Sequence, residues 1–447
     1  MKPNILFLII DSFRADKFYS KTKTSITPNL DKLIHDGTFF QNAVSASDAT
    51  LLSWSSLFSG KYPFRTGIRS ARFNKLNPNI TTFFEIFQKN DYTFYGFLPT
   101  LSETIGLFPK FSNSNYLYDI NENLSNGLGQ NIIEQIKKSN STPWFFCVHI
   151  MNLHFPISVS KKFNDEKYGK NTFERAVSEL DEWIGELANT IKFDDTILVI
   201  TADHGSYIQQ SEKLDANFEI NPTTQKLISK LSNKIPKFLY PVKDSIFFKI
   251  EENRKQKKIK QIKKFQLAPH EERALLAGRS DKDHFLYDDS VRIPLLFVGS
   301  NIPKNKTIMN QVRSIDIIPT LLDIAKISLP MPIDGISLLP YLDDKPLNEI
   351  PAFIESTPMI LSESNDVIGI RTSNHKYFRD KDDPKKRVHL FNLKSDPYED
   401  NNISDENPFI VTNMEKLLTE IFEKTDDVEP SDDSKKIEDE LRKLGYV

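Results

Sequence analysis

Short apolar runs of strand length recur along this chain, and two of them stop abruptly at a carboxylate. The runs are residues 5–10, 92–97, 144–150, 196–201 and 293–298. Between them lie segments with helical spacing: 29–35 after a Thr-Pro start, 131–138, and 173–191 with Ala176, Leu180, Trp183, Ile184 and Leu187 three to four apart. Strands alternating with helices predict an α/β fold, a large mixed and mostly parallel sheet with helices on both faces. Runs that are apolar throughout fit strands buried on both sides. In an open sheet of this kind ligand chemistry sits at the carboxyl ends of the strands. Ile5–Ile10 leads into Asp11, and Thr196–Thr201 leads into Asp203-His204. Both ends are expected on one edge. Thr50, which opens the segment Thr50-Leu-Leu-Ser-Trp-Ser-Ser-Leu-Phe-Ser-Gly60, would bring a hydroxyl to that edge and complete a metal-activated nucleophile site.

From about residue 345 the pattern changes. Val367–Arg371, Lys376–Arg379 and Val388–Phe391 read as short strands between polar turns, a small antiparallel sheet. The expected organisation is a catalytic domain over residues 1–345, a small-sheet subdomain over 346–425 and a charged tail over 426–447. A chain of 447 residues with 39% hydrophobic and 27% charged residues fits a globular enzyme rather than a disordered chain. Its net charge of −3 gives no general pull toward nucleic acid, and no nucleic-acid partner is expected. The single cysteine, Cys147, sits in Trp144-Phe-Phe-Cys-Val-His149 and reads as a buried thiol. His149, in the same run, reads as buried in its strand. Six apolar residues before Asp11 are too few for a signal peptide core or for a membrane span of about 20 residues, so a cytoplasmic location is expected.

One stretch breaks the charge balance. Residues 226–264 carry thirteen Lys and Arg against three acids, Asp244, Glu251 and Glu252. The stretch lies in an expected insertion of about residues 210–280. It reads either as a solvated helical cover or as a patch for anionic ligands or a membrane surface.

The ordered motifs resemble the sulfatase branch of the alkaline phosphatase superfamily. They are Asp11-Ser-Phe-Arg-Ala-Asp16, Thr27-Pro-Asn-Leu-Asp31, Thr50 to Gly60, His154-Phe-Pro156 and Ala202-Asp-His-Gly205. The series continues through Leu286-Tyr-Asp-Asp-Ser-Val-Arg-Ile-Pro294, Ser314-Ile-Asp-Ile-Ile-Pro-Thr320, Asp334-Gly-Ile-Ser-Leu338 and Leu390-Phe-Asn-Leu-Lys-Ser-Asp-Pro397. The resemblance implies one divalent metal held by Asp11, Thr50, Asp203 and His204. It implies His154 and His284 in catalysis, with Lys282, His154 and His284 facing the substrate anion.

Departures from the family pattern carry as much information. Ser12 stands where a second carboxylate usually follows. Thr50 stands where sulfatases carry the cysteine or serine that becomes formylglycine, with Leu52 in place of a proline and Trp54 in place of an arginine. His204 replaces the asparagine of calcium-holding members, and an imidazole suits zinc or manganese better than calcium. No Asp-x-x-x-His pair follows His154, so a single metal is expected. Threonine is the nucleophile in relatives that act on phosphate esters. The expected function is therefore a metal-dependent hydrolase or transferase of phosphate esters, diesters included, through a covalent Thr50 intermediate, on a small-molecule or lipid-headgroup ester. The alternatives are a sulfate-ester hydrolase and an inactive relative that binds anions. Asp11 and Thr50 each have the plainer alternative of a helix N-cap.

Overall fold

Eight strands form the main sheet: β1 (Asn4–Ile10), β2 (Gly37–Val44), β3 (Thr93–Pro99), β4 (Leu117–Tyr118), β5 (Trp144–Ile150), β6 (Thr196–Thr201), β7 (Arg292–Gly299) and β8 (Lys306–Arg313). Their order is β4-β3-β5-β1-β6-β7-β2-β8. β7 runs antiparallel to both of its neighbours, and every other pairing in the sheet is parallel. The computed structural model describes residues 2–68, 76–120, 122–139, 141–208, 253, 255–277, 286–356 and 367–423. Most of the basic stretch, residues 226–252 and Arg254, lies outside them. No helix among the described residues is long and apolar enough to cross a membrane.

The centre of the sheet explains its sequence. Every residue of β1, β5 and β6 is buried, because helices cover both faces. The flanking strands β2 and β8 read differently. β2 contains Gln41 and Asn42, and β8 is an edge strand whose first five residues are mostly exposed and whose last three are buried. Neither has a continuous apolar run, which is why sequence periodicity does not find them.

Helix Thr172–Ala188 starts at Asn171, whose side chain accepts the Glu174 amide. It buries Phe173, Ala176, Val177, Leu180, Ile184 and Leu187. Asp181 on the same helix accepts from the amides of Asn29 and Leu30 at the start of helix Pro28–His35. A carboxylate there satisfies first-turn donors that a helix cannot satisfy itself.

A second, antiparallel sheet has the order β12-β11-β10-β9: β9 (Ala352–Glu355), β10 (Val367–Arg371), β11 (His375–Asp380) and β12 (His389–Asn392). Helix Pro408–Glu423 packs on it through Met414 and Leu418. Buried ion pairs join this sheet to the main one. Arg371 and Lys376 both reach Asp288 at the start of helix Asp288–Val291, and Lys376 also reaches Glu399 at 2.6 Å. Glu399 in turn accepts the Asp288 amide at 2.6 Å.

That network has a pH signature. Burial pushes the Glu399 carboxyl up to about 7, against the pull of Lys376. Burial also acts to raise Asp288, but Arg371 and Lys376 outweigh it and hold that carboxyl below the ordinary range. A Glu whose folded pKa exceeds its unfolded value of about 4.3 takes up a proton on folding. Its stabilising contribution is complete below about pH 4 and is lost as pH rises through about 7. Glu399→Gln should therefore flatten the decline in urea stability between about pH 5 and 8. Parallel pH profiles for the two proteins would show that Glu399 does not titrate in that window.

Candidate active site and metal centre

Three adjacent strands each deliver one buried side chain to the same sheet edge. β1 lies between β5 and β6, and Ile9 is in register with both His149 and Thr201. Asp11 follows β1, His149 is the penultimate residue of β5, and Asp203 follows β6 by two residues. All three side chains are buried. Their ligand atoms lie within 4.8 Å of one another. On the other side, β2 ends at Val44 and the chain enters helix Thr50–Ser59. Ala49 is the N-cap and Thr50 the first helical residue, so Thr50 does not serve as the cap.

The Thr50 hydroxyl lies 3.1 Å from Asp11 Oδ2 and 3.2 Å from His204 Nε2. His204 Nε2 lies 3.5 Å from Asp203 Oδ2. Asp203 Oδ2 lies 3.5 Å from His149 Nε2, which lies 3.9 Å from Asp11 Oδ2. The five atoms close a ring. Asp11, His149 and Asp203 form its buried floor, while Thr50 and His204 are only partly covered and form its open side.

Ser12 orients this ring without joining it. Its hydroxyl donates to Asp11 Oδ1 at 2.6 Å, and its amide donates to Asp203 Oδ1 at 3.2 Å. The His204 amide donates to Asp203 Oδ1 at 2.8 Å. Each carboxylate is thus anchored through Oδ1 and presents Oδ2 to the ring. His204 Nδ1 meets the Gly205 carbonyl at 2.7 Å. A proton on Nδ1 leaves Nε2 as the lone-pair nitrogen facing the ring. The single hydroxyl proton of Thr50 cannot then serve both Asp11 and His204.

Electrostatics agree with a positive occupant. Burial pushes His204 down, but Asp203 and Asp11 outweigh it and raise its pKa above the ordinary histidine value. Burial likewise pushes Asp203 up, and His204, His149 and the His204 amide hold it below the ordinary range. Asp203 Oδ2 and both ring nitrogens of His149 have no hydrogen-bond partner. A buried polar group left so costs about 1–3 kcal/mol. Two carboxylates, imidazole nitrogens and a hydroxyl are a fitting donor set for a divalent cation.

Gly205 has a packing reason. A Cβ there would stand 2.2 Å from the Asp289 carbonyl, and the Gly205 amide donates to Ser290 at 2.7 Å. The Asp203–Gly205 turn is therefore pressed directly against helix Asp288–Val291. Arg14 supports the turn from outside, paired with Asp16 and Asp289 and donating to the Ser206 carbonyl.

Of the residues singled out by sequence, the structure brings Asp11, Thr50, Asp203 and His204 together. His154 lies in the loop after β5, half-buried, with its amide on the Met151 carbonyl. Lys282 and His284 lie outside the described residues. The sequence reading overlooked His149 as a site residue. Its signal was present: a lone histidine two residues from the end of an apolar run, in the strand beside the one that ends at Asp11.

Comparison with known proteins places this geometry. The model of the family described as Sulfatase matches residues 3–327, and that of N-sulphoglucosamine sulphohydrolase, C-terminal, matches residues 278–426. Canis lupus familiaris arylsulfatase K is 25% identical over 94% of this chain and 82% of its own length. A 2-O GAG sulfatase structure superposes with a TM-score of 0.63 at 18% identity, covering 94% of this chain and 92% of its own. A structure solved with D-glucosamine-2-N,6-O-disulfate as its substrate gives 0.63 at 15% identity, covering 96% and 99%. These matches overturn the expected phosphate-ester activity. Threonine at position 50 was the ground for that expectation, but the family match and the near full-length arylsulfatase K relative point to sulfate esters.

The Gly205 packing generates a prediction. Gly205→Ala must move the Asp203–Gly205 turn off Asp289, at a cost of roughly 1–3 kcal/mol. Thermal melts should show the loss. The stabilisation that divalent ions give the parent protein should shrink as well, because Asp203 and His204 move with the turn. An Ala variant with unchanged melting and unchanged response to metal would contradict the steric account.

Proposed function

The chain belongs to the sulfatase family, and from that premise we propose that it hydrolyses a sulfate ester through the hydroxyl of Thr50. The observation that carries the reading is the position of that hydroxyl, on the first residue of a helix and within 3.2 Å of both Asp11 and His204. Neither cysteine nor serine occupies position 50, so no formylglycine can be made there. The side chain has one hydroxyl, and that hydroxyl is the only nucleophile the position offers.

In the proposed reaction Thr50 Oγ bonds to sulfur while the sulfur–ester oxygen bond breaks. The Thr50 proton passes to Asp11 Oδ2, 3.1 Å away. The leaving oxygen takes a proton from His154 and departs as the alcohol. Water then attacks sulfur in the threonine O-sulfate and gives one proton to His154, the sulfur–Thr50 oxygen bond breaks, hydrogen sulfate departs, and Thr50 takes its proton back from Asp11. First-turn amides of helix Thr50–Ser59 have no acceptor within the helix and favour an anion at its N-terminus. Lys282 and His284 are proposed to hold the sulfate oxygens. A divalent cation held by Asp11, Asp203, His204 and the Thr50 hydroxyl supplies positive charge to the anion when bound. The imidazole in that set favours zinc or manganese over calcium. The proposed substrates are sulfated small molecules or sulfated glycosaminoglycan sugars, the class named in the 2-O GAG sulfatase structure.

Turnover on a panel of aryl sulfates and sulfated disaccharides tests the reading. Thr50→Ala should lose roughly a thousandfold or more in kcat while folding normally, and Thr50→Ser should keep much of it. Intact mass of the parent protein, quenched during turnover, should show one added sulfo group located at Thr50. Near-parental turnover by Thr50→Ala would eliminate the covalent route.

A further inference from the structure

We infer that His149 is itself a ligand of the cation at this site, so that the ion is bound by two carboxylates and two imidazoles and belongs to the zinc and manganese class rather than to calcium. The inference rests on the proposed function only in requiring that a divalent ion bind here.

His149 is the one polar residue in a fully buried strand, and neither ring nitrogen has a hydrogen-bond partner. Its Nε2 stands 3.5 Å from Asp203 Oδ2 and 3.9 Å from Asp11 Oδ2. Both separations are too long for a good hydrogen bond. They match the spacing of two donors that share one ion, since ligands about 2.1 Å from a metal stand roughly 3–3.5 Å apart or somewhat more. Asp203 Oδ2, the atom nearest to His149 Nε2, also lacks a hydrogen-bond partner. A buried imidazole and a buried carboxylate oxygen therefore face one point from two adjacent strands, and neither is served from elsewhere.

Two features of this chain belong to the same arrangement. Ser12 withholds a carboxylate from the ring and uses its hydroxyl and amide to turn Asp11 and Asp203. Trp54, one helical turn beyond Thr50, meets the His149 ring edge-on, with centroids 4.8 Å apart at 87°. The indole fixes the plane of the imidazole and walls it off from water. Where an outer hydrogen bond usually orients a ligand histidine, packing does so here. Imidazole nitrogen raises the preference for borderline ions, and calcium takes oxygen ligands.

X-ray absorption on the zinc-loaded full-length protein counts the imidazoles directly. Two imidazole ligands, His149 and His204, are expected, and a single one would overturn the proposal. Cobalt(II) titration of chelator-stripped protein gives a second readout. The parent should bind one cobalt, with visible bands that millimolar calcium does not displace. His149→Ala should weaken cobalt binding at least about tenfold to a hundredfold and alter the spectrum. If His149→Ala fails to fold, the imidazole count on the parent still decides. Failure of the parent to bind cobalt or zinc would also overturn the proposal, because His149 would then have no ion to hold. None of these measurements reads ester hydrolysis, so a failed sulfatase assay leaves the ligand assignment standing, and the reverse holds too.

Discussion

Two buried aspartates at neighbouring strand ends set the terms for the rest of this molecule. Asp11 and Asp203 are held with Oδ1 tied to Ser12 and His204 and Oδ2 facing a common point. Their negative charge lies in a region of low dielectric, where an uncompensated ion costs several kcal/mol. The fold answers with imidazoles from β5 and from the Asp203–Gly205 turn and with the first residue of a helix. The sheet order places the donors. β5, β1 and β6 are consecutive, so three donors converge at spacings that strand separation alone nearly dictates.

The small sheet contributes to this site from a distance. β9 joins the segment before helix Thr50–Ser59, with the Glu355 amide on the Ala46 carbonyl and a bridge between Ser47 and Glu355. Arg371 and Lys376 grip Asp288, at the start of the helix against which Gly205 packs. The C-terminal sheet thus braces both the segment that leads to Thr50 and the turn that carries Asp203 and His204.

Much of this was legible before any coordinates, and the illegible parts have physical reasons. The five apolar runs mark five strands because burial on both faces demands unbroken apolarity. β2 and β8 escaped because one contains Gln41 and Asn42 and the other is a half-exposed edge. β9 and helix Pro408–Glu423 belong to the smaller core, where fewer layers cover each element and the apolar signal is shorter. At the site, Asp11, Asp203 and His204 stood out because each follows an apolar run. His149 lies inside such a run, and burial of a histidine in a strand is ordinary. Only the register of β5 against β1, which periodicity does not encode, turns it into a site residue. Substrate class went astray for another reason. The residue at position 50 bears on which atom would attack, and the full set of motifs bears on which ester is attacked.

The departures at positions 12, 50 and 54 meet around one site, beside His149. With Ser12 in place of an acid, the ring carries two carboxylates, whose charge a divalent cation would balance. Trp54 then fits where an arginine would have stood. Its indole packs the His149 ring. In the proposed reaction, a single hydroxyl at position 50 means that the threonine sulfate ester is cleaved by water at sulfur. The open side of the ring, where Thr50 and His204 remain partly exposed, is where that water can enter. A formylglycine hydrate would carry two hydroxyls at one carbon. This ring presents one hydroxyl, directed at Asp11, with the buried imidazole behind it.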